Sequence, residues 1–254
     1  MNEWILPQGE AAALMPGASY SLPGLFLYSK LIYQCLDQVQ DKFGYAIPVR
    51  YLYGSPKVLW NCGRLIITDN HYTREEIYQE LAGAKARGIT PLLTFSAPVL
   101  SQEDLADPAG NAILSMADEV GGGVIVSTPL LRDYIRAKYP NIEVHASVIM
   151  TAFPEQRDES YYASLAREYD RFVVHPDDNF RLDLLEKIPK DRAEIILNER
   201  CVYQCHQRKE HYLSIVEDQA ALIQGDGELT HFLDRCPNVP DFKQHASKAQ
   251  IGRA

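Results

Sequence analysis

The sequence predicts an α/β fold: a TIM-barrel-like (β/α) barrel, incomplete or irregular, with an N-terminal helical arm. Six short apolar runs, each followed by a segment with helical spacing, imply parallel strands joined by right-handed crossovers. The turns after these runs contain neither G-x-G-x-x-G nor G-x-x-x-x-G-K-[ST], so a nucleotide-binding open sheet loses its main support. Polar residues stand at the ends of the runs instead, as in barrels that distribute a site over many strand ends. These residues are Ser55, Ser96, Ser127, Ser147, His175, Asn198 and Glu199.

The elements follow in a regular order after an irregular beginning. Residues 1–22 contain scattered proline and glycine without a sustained period and predict an irregular arm, and apolar spacing over Leu25–Phe43 predicts a helix. A polar tail is expected over residues 244–254, and the whole chain, 1–254, is predicted to form one barrel domain. The predicted strands are Ile47–Tyr53, Leu92–Phe95, Gly123–Val126, Ile142–Val148, Arg171–Val174 and Ala193–Leu197, with Leu65–Ile67 as a further short strand.

Three helix starts carry recognisable capping signals. Thr73-x-x-Glu76 is a capping box, and Ser101-x-x-Asp104 has the same spacing of a hydroxyl and a carboxylate. Thr128 precedes a proline, which suits the first position of a helix. These signals divide the middle of the chain into the repeating units that a barrel requires.

Composition narrows the class of protein. With 254 residues the chain is long enough for a large core, and its net charge of −9 argues against generic binding to nucleic acid or anionic membranes. No apolar run approaches the roughly 20 residues of a membrane helix. The N-terminus lacks a charged segment followed by a long apolar core, so we expect no secretory signal and a cytoplasmic location. Five scattered cysteines predict reduced thiols, some of them metal ligands, and no disulfide framework.

Ligand chemistry is concentrated in residues 198–212, directly after the last predicted strand. Cys201-x3-Cys205 has a spacing that zinc sites and iron–sulfur clusters both use. Two thiolates do not complete either site, so further ligands must come from Cys236, Cys62, His206 or His211. The alternative interpretation is two incidental thiols in a loop.

Three residues near these cysteines are candidates for catalysis. Glu199 ends the last strand and could serve as a general base or an iron ligand. His175 ends the preceding strand and could act as a base, although it could equally cap the following helix. Arg208 begins the helix after Cys205, where it could hold a carboxylate or phosphate or simply be solvated.

Three further residues are candidates for substrate binding. Asn198 stands at the same strand end as the cysteine pair, and Arg64 follows Cys62 in a turn near the first strands. Ser147 alternates with His145 along a strand, so both point to one side, inside the barrel or against the helices.

The order of segments resembles the collagenase-like peptidase family of unassigned mechanism, together with its iron–sulfur relatives that hydroxylate RNA bases and the ubiquinone ring. The resemblance runs from about Gly63 to Tyr212. Those families carry a longer cysteine array, whereas Cys201 and Cys205 have only Cys236 and Cys62 as thiol partners here. The segments that carry the resemblance are Gly63-Arg64, Thr73-Arg74-Glu75-Glu76, Lys85-Ala86-Arg87-Gly88-Ile89, Gly123-Val124-Ile125-Val126, His145-Ala146-Ser147 and the late strand that ends in cysteines.

Three functions from different classes fit these observations. The first is an iron–sulfur barrel enzyme that acts on a small molecule, peptide or nucleic-acid base. The second is a peptidase-like hydrolase with zinc or another divalent ion at Cys201, Cys205 and His211, where Glu199 activates water. The third is a non-catalytic barrel that binds a protein partner through its acidic surface.

Overall fold

Seven parallel strands form a single curled sheet, a half-barrel, in a computed structural model that describes residues 17–61, 72–199 and 201–224. Sequential neighbours pair along the whole sheet, from β1 to β7. The predicted incomplete α/β barrel is therefore confirmed. Within the described residues no backbone pairing joins β7 to β1, and we call this open edge the seam. The strands are β1 (Tyr20–Pro23), β2 (Val49–Gly54), β3 (Thr90–Phe95), β4 (Gly123–Val126), β5 (Glu143–Ala146), β6 (Arg171–Val173) and β7 (Ala193–Glu194).

Helices follow most strands and cover the outer face of the sheet. They are α1 (Ser29–Phe43), α2 (Arg74–Ala86), α3 (Pro108–Glu119), α4 (Pro129–Lys138), α5 (Glu159–Glu168), α6 (Leu182–Leu185) and α7 (Arg208–Gln224). The capping signals at Thr73 and Thr128 work as predicted, since both hydroxyls accept a hydrogen bond from the first turn of their helix. No helix in the described parts of the chain is long and apolar enough to cross a membrane.

The hydrophobic core lies between the sheet and the helices because strand residues alternate between two faces. The outward-facing strand residues are fully buried under the helices. They are Leu52, Leu93, Phe95, Val124, Val126, Val144 and Phe172, and Val174 directly after β6 is equally buried. The strand residues on the opposite face, which point into the half-barrel, are largely polar.

Trp60 anchors the segment between β2 and α2. Its side chain is fully buried, its indole N–H donates to the Asp104 carbonyl at 2.7 Å, and its ring meets Phe95 edge-on at 5.2 Å. Gly110 in α3 packs against this ring, and an added Cβ would lie 2.7 Å from the Trp60 Cδ2 atom. The close approach leaves no room for a side chain at Gly110.

Two helical glycines give a matched test of this packing. Gly83→Ala should raise the free energy of unfolding by about 0.5–1 kcal/mol, since alanine is the better helix former and nothing lies within 4 Å of the added methyl group. Gly110→Ala has the same propensity gain but overpacks a rigid ring, at a cost of about 1–3 kcal/mol, so we expect a net loss near 1 kcal/mol. Urea unfolding measures both changes. A stabilised Gly110→Ala variant would contradict this packing.

The structure corrects several predicted boundaries. The irregular arm does not extend to residue 22, because β1 begins at Tyr20 and pairs with β2. β7 is two residues long, not five, since the Asn179 amide donates to the Ile196 carbonyl at 3.0 Å and draws the chain away from the sheet. β5 stops at Ala146, where Ser147 caps a 3-10 helix. The predicted strand Leu65–Ile67 and the tail 244–254 lie outside the described residues.

Candidate functional site

The cysteine loop, residues 195–207, leads from β7 to α7 at the carboxyl-terminal ends of the strands. Side chains hold its backbone at several points, among them the Cys201 N–H, which donates to the Glu199 Oε1 atom at 2.9 Å, and the Gln204 N–H, which donates to Asp177 Oδ1 at 3.1 Å. Gln204 adopts a left-handed conformation, with φ of 55°. This turn places the Cys201 and Cys205 thiols near enough to each other for Cys205 to raise the pKa of Cys201.

Arg208, the first residue of α7, ties the loop to the rest of the barrel mouth. Its guanidinium is 4% exposed and bridges two carboxylates, with Nη1 at 3.3 Å from Glu199 Oε2 and Nη2 at 3.3 Å from Asp177 Oδ1. Nη2 also donates to the Val202 carbonyl at 3.4 Å. Arg208 therefore joins the turn after β6, through Asp177, to two points of the cysteine loop, Glu199 and Val202.

His175 reaches the same network through its neighbour Asp177. Its Nδ1 atom accepts a hydrogen bond from the Asp177 N–H at 3.2 Å, so the imidazole caps a 3-10 helix over Pro176–Phe180, as the capping alternative predicted. Burial, reinforced by Arg157 and Arg208, lowers the pKa of His175 to about 4. The ring is therefore neutral near pH 7, and an accepting Nδ1 requires the proton to lie on Nε2.

Asp178 forms a second buried cluster directly behind His175. Its carboxylate accepts hydrogen bonds from Arg157 Nε at 2.9 Å and the Tyr162 hydroxyl at 2.7 Å. Tyr162 in turn accepts the His175 backbone N–H at 3.1 Å. These bonds fix the position of the His175 backbone. Sequence reasoning missed Arg157 and Tyr162, because they lie 21 and 16 residues from Asp178 and no local pattern links them.

The surroundings of Cys201 and Cys205 differ from those of a preformed metal site in the ionisation of Cys201 and in the number of ligands. Burial raises the pKa of Cys201 to about 12, with Arg208 opposing the increase and Cys205 and Glu199 adding to it. Cys201 is thus a neutral thiol near pH 7. No group of three His, Cys, Asp or Glu side chains is arranged to hold a metal ion within the described ranges.

The remaining predicted site residues occupy varied positions. His211 is half-buried on α7, where burial and Arg208 lower its pKa, and it does not complete a three-ligand group with Cys201 and Cys205. Asn198 is exposed, whereas Ser147 is buried and its hydroxyl accepts the Ile149 N–H at 3.2 Å, which is a capping role. Cys62, Arg64 and Cys236 lie outside the described residues.

Comparison with known proteins shows similarity of fold. The structure of the U32 peptidase Mk0906, a collagenase-like peptidase, superimposes with a TM-score of 0.56 over 88% of this chain and 84% of that chain. The two sequences are 14% identical, a level at which the likeness concerns the fold. No known protein family and no curated protein matches the sequence.

Proposed function

We propose that this chain is a metal-dependent barrel enzyme that binds an iron–sulfur cluster through Cys201 and Cys205 at the carboxyl-terminal mouth of the barrel. The observation that carries the proposal is the juxtaposition of the two thiols beside the buried Arg208 guanidinium. Thiolates are the ligands that iron–sulfur clusters prefer, and parallel barrels place their chemistry at this end.

The residues present suit such a cluster in ligand type. Ligation requires both thiols to lose their protons, and the Arg208 cation next to Cys201 opposes part of the rise that burial causes in the pKa of Cys201. Cys62 and Cys236 are the predicted remaining thiol ligands, so the proposal requires them to meet Cys201 and Cys205. When bound, the cluster would supply one-electron chemistry or a Lewis-acidic iron.

The side chains around the thiols have roles that follow from their contacts. Both Glu199 oxygens accept hydrogen bonds, one from the Cys201 N–H and one from Arg208. The main role of this carboxylate is therefore to hold the loop in place, and proton transfer is secondary. His175 carries its proton on Nε2 and would donate a hydrogen bond to a substrate. Asn198, exposed at the rim, would contact a small-molecule, peptide or nucleic-acid-base substrate.

The second candidate is a peptidase-like hydrolase with a zinc ion, which the fold likeness to a U32 peptidase favours. Its three proposed ligands, Cys201, Cys205 and His211, all lie in the described part of the chain and do not form a ligand group there. The iron–sulfur proposal instead takes its further ligands from Cys62 and Cys236. Cys35, Cys201 and Cys205 are free thiols, which fits the proposed cytoplasmic location.

Anaerobic purification tests the proposal. We expect brown protein whose visible absorption bleaches on reduction, with iron and acid-labile sulfide in equal amounts. Zinc without sulfide would overturn the iron–sulfur proposal in favour of the hydrolase. Metal-free protein after anaerobic reconstitution would leave the third hypothesis, a barrel that binds a partner through its acidic surface.

A further inference from the structure

The interior of the half-barrel contains a connected set of polar and charged side chains that starts on β2 and ends on β7, just before the cysteine loop. On β2 the Tyr51 hydroxyl donates to Glu143 Oε1 at 2.9 Å and accepts from Arg171 Nε at 2.8 Å. The first of these contacts spans 92 residues of sequence and the second 120. Three strands, β2, β5 and β6, are thus tied together through one tyrosine.

His145 is the most deeply buried member of this set. It is 1% exposed, and its Nδ1 atom lies 3.3 Å from Glu194 Oε1 while Nε2 lies 3.8 Å from Glu143 Oε2. The Tyr51 ring packs edge-on against it at 4.8 Å. A neutral imidazole has only one N–H, whereas here both nitrogens face carboxylates. The arrangement is complementary to a doubly protonated ring.

Glu194 links this set to the seam. Its Oε2 atom accepts a hydrogen bond from the Ser21 hydroxyl on β1 at 3.2 Å, across the edge where β7 and β1 have no backbone pairing within the described residues. β7 itself is held to β6 by few backbone bonds, including Phe172 N–H to the Arg192 carbonyl and Val174 N–H to the Glu194 carbonyl, at 3.0 and 2.8 Å. Side-chain contacts therefore carry much of the attachment of β7.

We propose that Glu143, His145 and Glu194 form a proton-dependent clasp that holds β7 in the barrel and closes the seam. When His145 is protonated, its positive charge pairs with both carboxylates, and Glu194 remains placed to accept the Ser21 hydroxyl. When the proton leaves, one carboxylate faces a lone pair in a buried site, and β7 loosens. Since Glu194 precedes Cys201 by seven residues, the same event releases the strand that positions the cysteine loop.

The direction of the pH dependence follows from the surrounding charges. Burial lowers the pKa of His145, but Glu143 and Glu194 outweigh it, so the pKa lies above its ordinary value of 6.5. The clasp is therefore complete below pH 6.5 and is lost as the pH rises through the raised value. The pKa of Glu143 is held at about 2 by His145, so Glu143 stays ionised throughout that range. The other charged groups nearby are the guanidinium groups of Arg50 and Arg171, which lie over the Tyr51 ring.

Hydrogen exchange at two amides measures the clasp directly. The Phe172 and Val174 amides bond to Arg192, just before β7, and to Glu194 in β7, so their protection, corrected for the intrinsic effect of pH, should fall by up to tenfold per pH unit between pH 6.5 and the raised pKa of His145 and level off above it. The titration of the His145 ring, followed by NMR, should have its midpoint at the pH where this fall levels off. His145→Gln should show low protection at every pH, and Glu194→Gln should move the midpoint to lower pH.

A matched control separates this effect from the loss of any histidine. His206→Gln removes an exposed imidazole from the cysteine loop and should leave the wild-type profile unchanged. Protection in His145→Gln that follows the wild-type pH profile would overturn the proposal. So would a wild-type protein in which His145 titrates while Phe172 and Val174 stay equally protected, a result that needs no variant to fold.

Discussion

Replacing Arg208 with methionine is expected to lower the free energy of unfolding by about 3 kcal/mol, the lower end of the range for breaking a buried ion pair. The guanidinium is buried, and its removal leaves Asp177 and Glu199 without their shared cation. Methionine retains an unbranched apolar stem, so the loss mainly reflects the missing charge and hydrogen bonds. Urea unfolding at pH 7 measures the difference.

Two variants serve as controls for Arg208→Met. Arg167→Met removes an exposed arginine from α5 and should change the free energy of unfolding by no more than about 0.5 kcal/mol. The free energy of unfolding of Arg208→Lys should lie between those of Arg208→Met and Arg167→Met, because one ammonium group cannot reproduce the planar guanidinium that reaches two carboxylates. An Arg208→Met variant as stable as Arg167→Met would show that this network does not hold the cysteine loop.

The double substitution Cys201→Ser with Cys205→Ser is expected to abolish bound iron and sulfide. A serine hydroxyl does not ionise near pH 7 and is a poor ligand for iron, so the cluster loses two of its ligands at once. Compared as metal-free proteins, the variant and the wild type should differ by less than about 1 kcal/mol, since both thiols are only half-buried. Iron and sulfide assays on anaerobic preparations, together with urea unfolding, measure the two effects.

Cys35→Ser is the matched control for that experiment. Cys35 lies on the exposed side of α1 and is remote in sequence from the cysteine loop, so its serine variant should retain the full iron and sulfide content. Wild-type metal content in the double variant would show that the metal binds elsewhere in the chain.

Local sequence signals predicted the elements well where the signal and the structure are both local. The capping box at Thr73 and the Thr128–Pro129 pair mark the starts of α2 and α4, and β4 has the predicted bounds Gly123–Val126. The apolar spacing over Leu25–Phe43 places Cys35 on the apolar face of a helix and predicts a core residue, but Cys35 is exposed, because spacing along a helix does not reveal which face the sheet covers. Tertiary packing decides that question.

In the candidate site, too, the contacts that are local in sequence were predicted and the distant ones were not. Glu199, Cys201, Cys205 and Arg208 were found as a group because they are close in sequence, and the structure brings them together. The link from Arg208 to Asp177 spans 31 residues and had no sequence signal. The interior contacts of Glu143 and Glu194 were missed for a similar reason. From sequence alone, a carboxylate in a short strand is expected to be solvated, because its partners lie far away in sequence.

Native mass spectrometry of the anaerobically prepared protein tests the central claim most directly, since it counts the atoms bound to each chain. The proposed function predicts a mass above that of the polypeptide by equal numbers of iron and sulfide ions, an increment that disappears in the Cys201→Ser, Cys205→Ser variant. A wild-type chain at the mass of the bare polypeptide after reconstitution, or one that carries a single zinc ion, would contradict it.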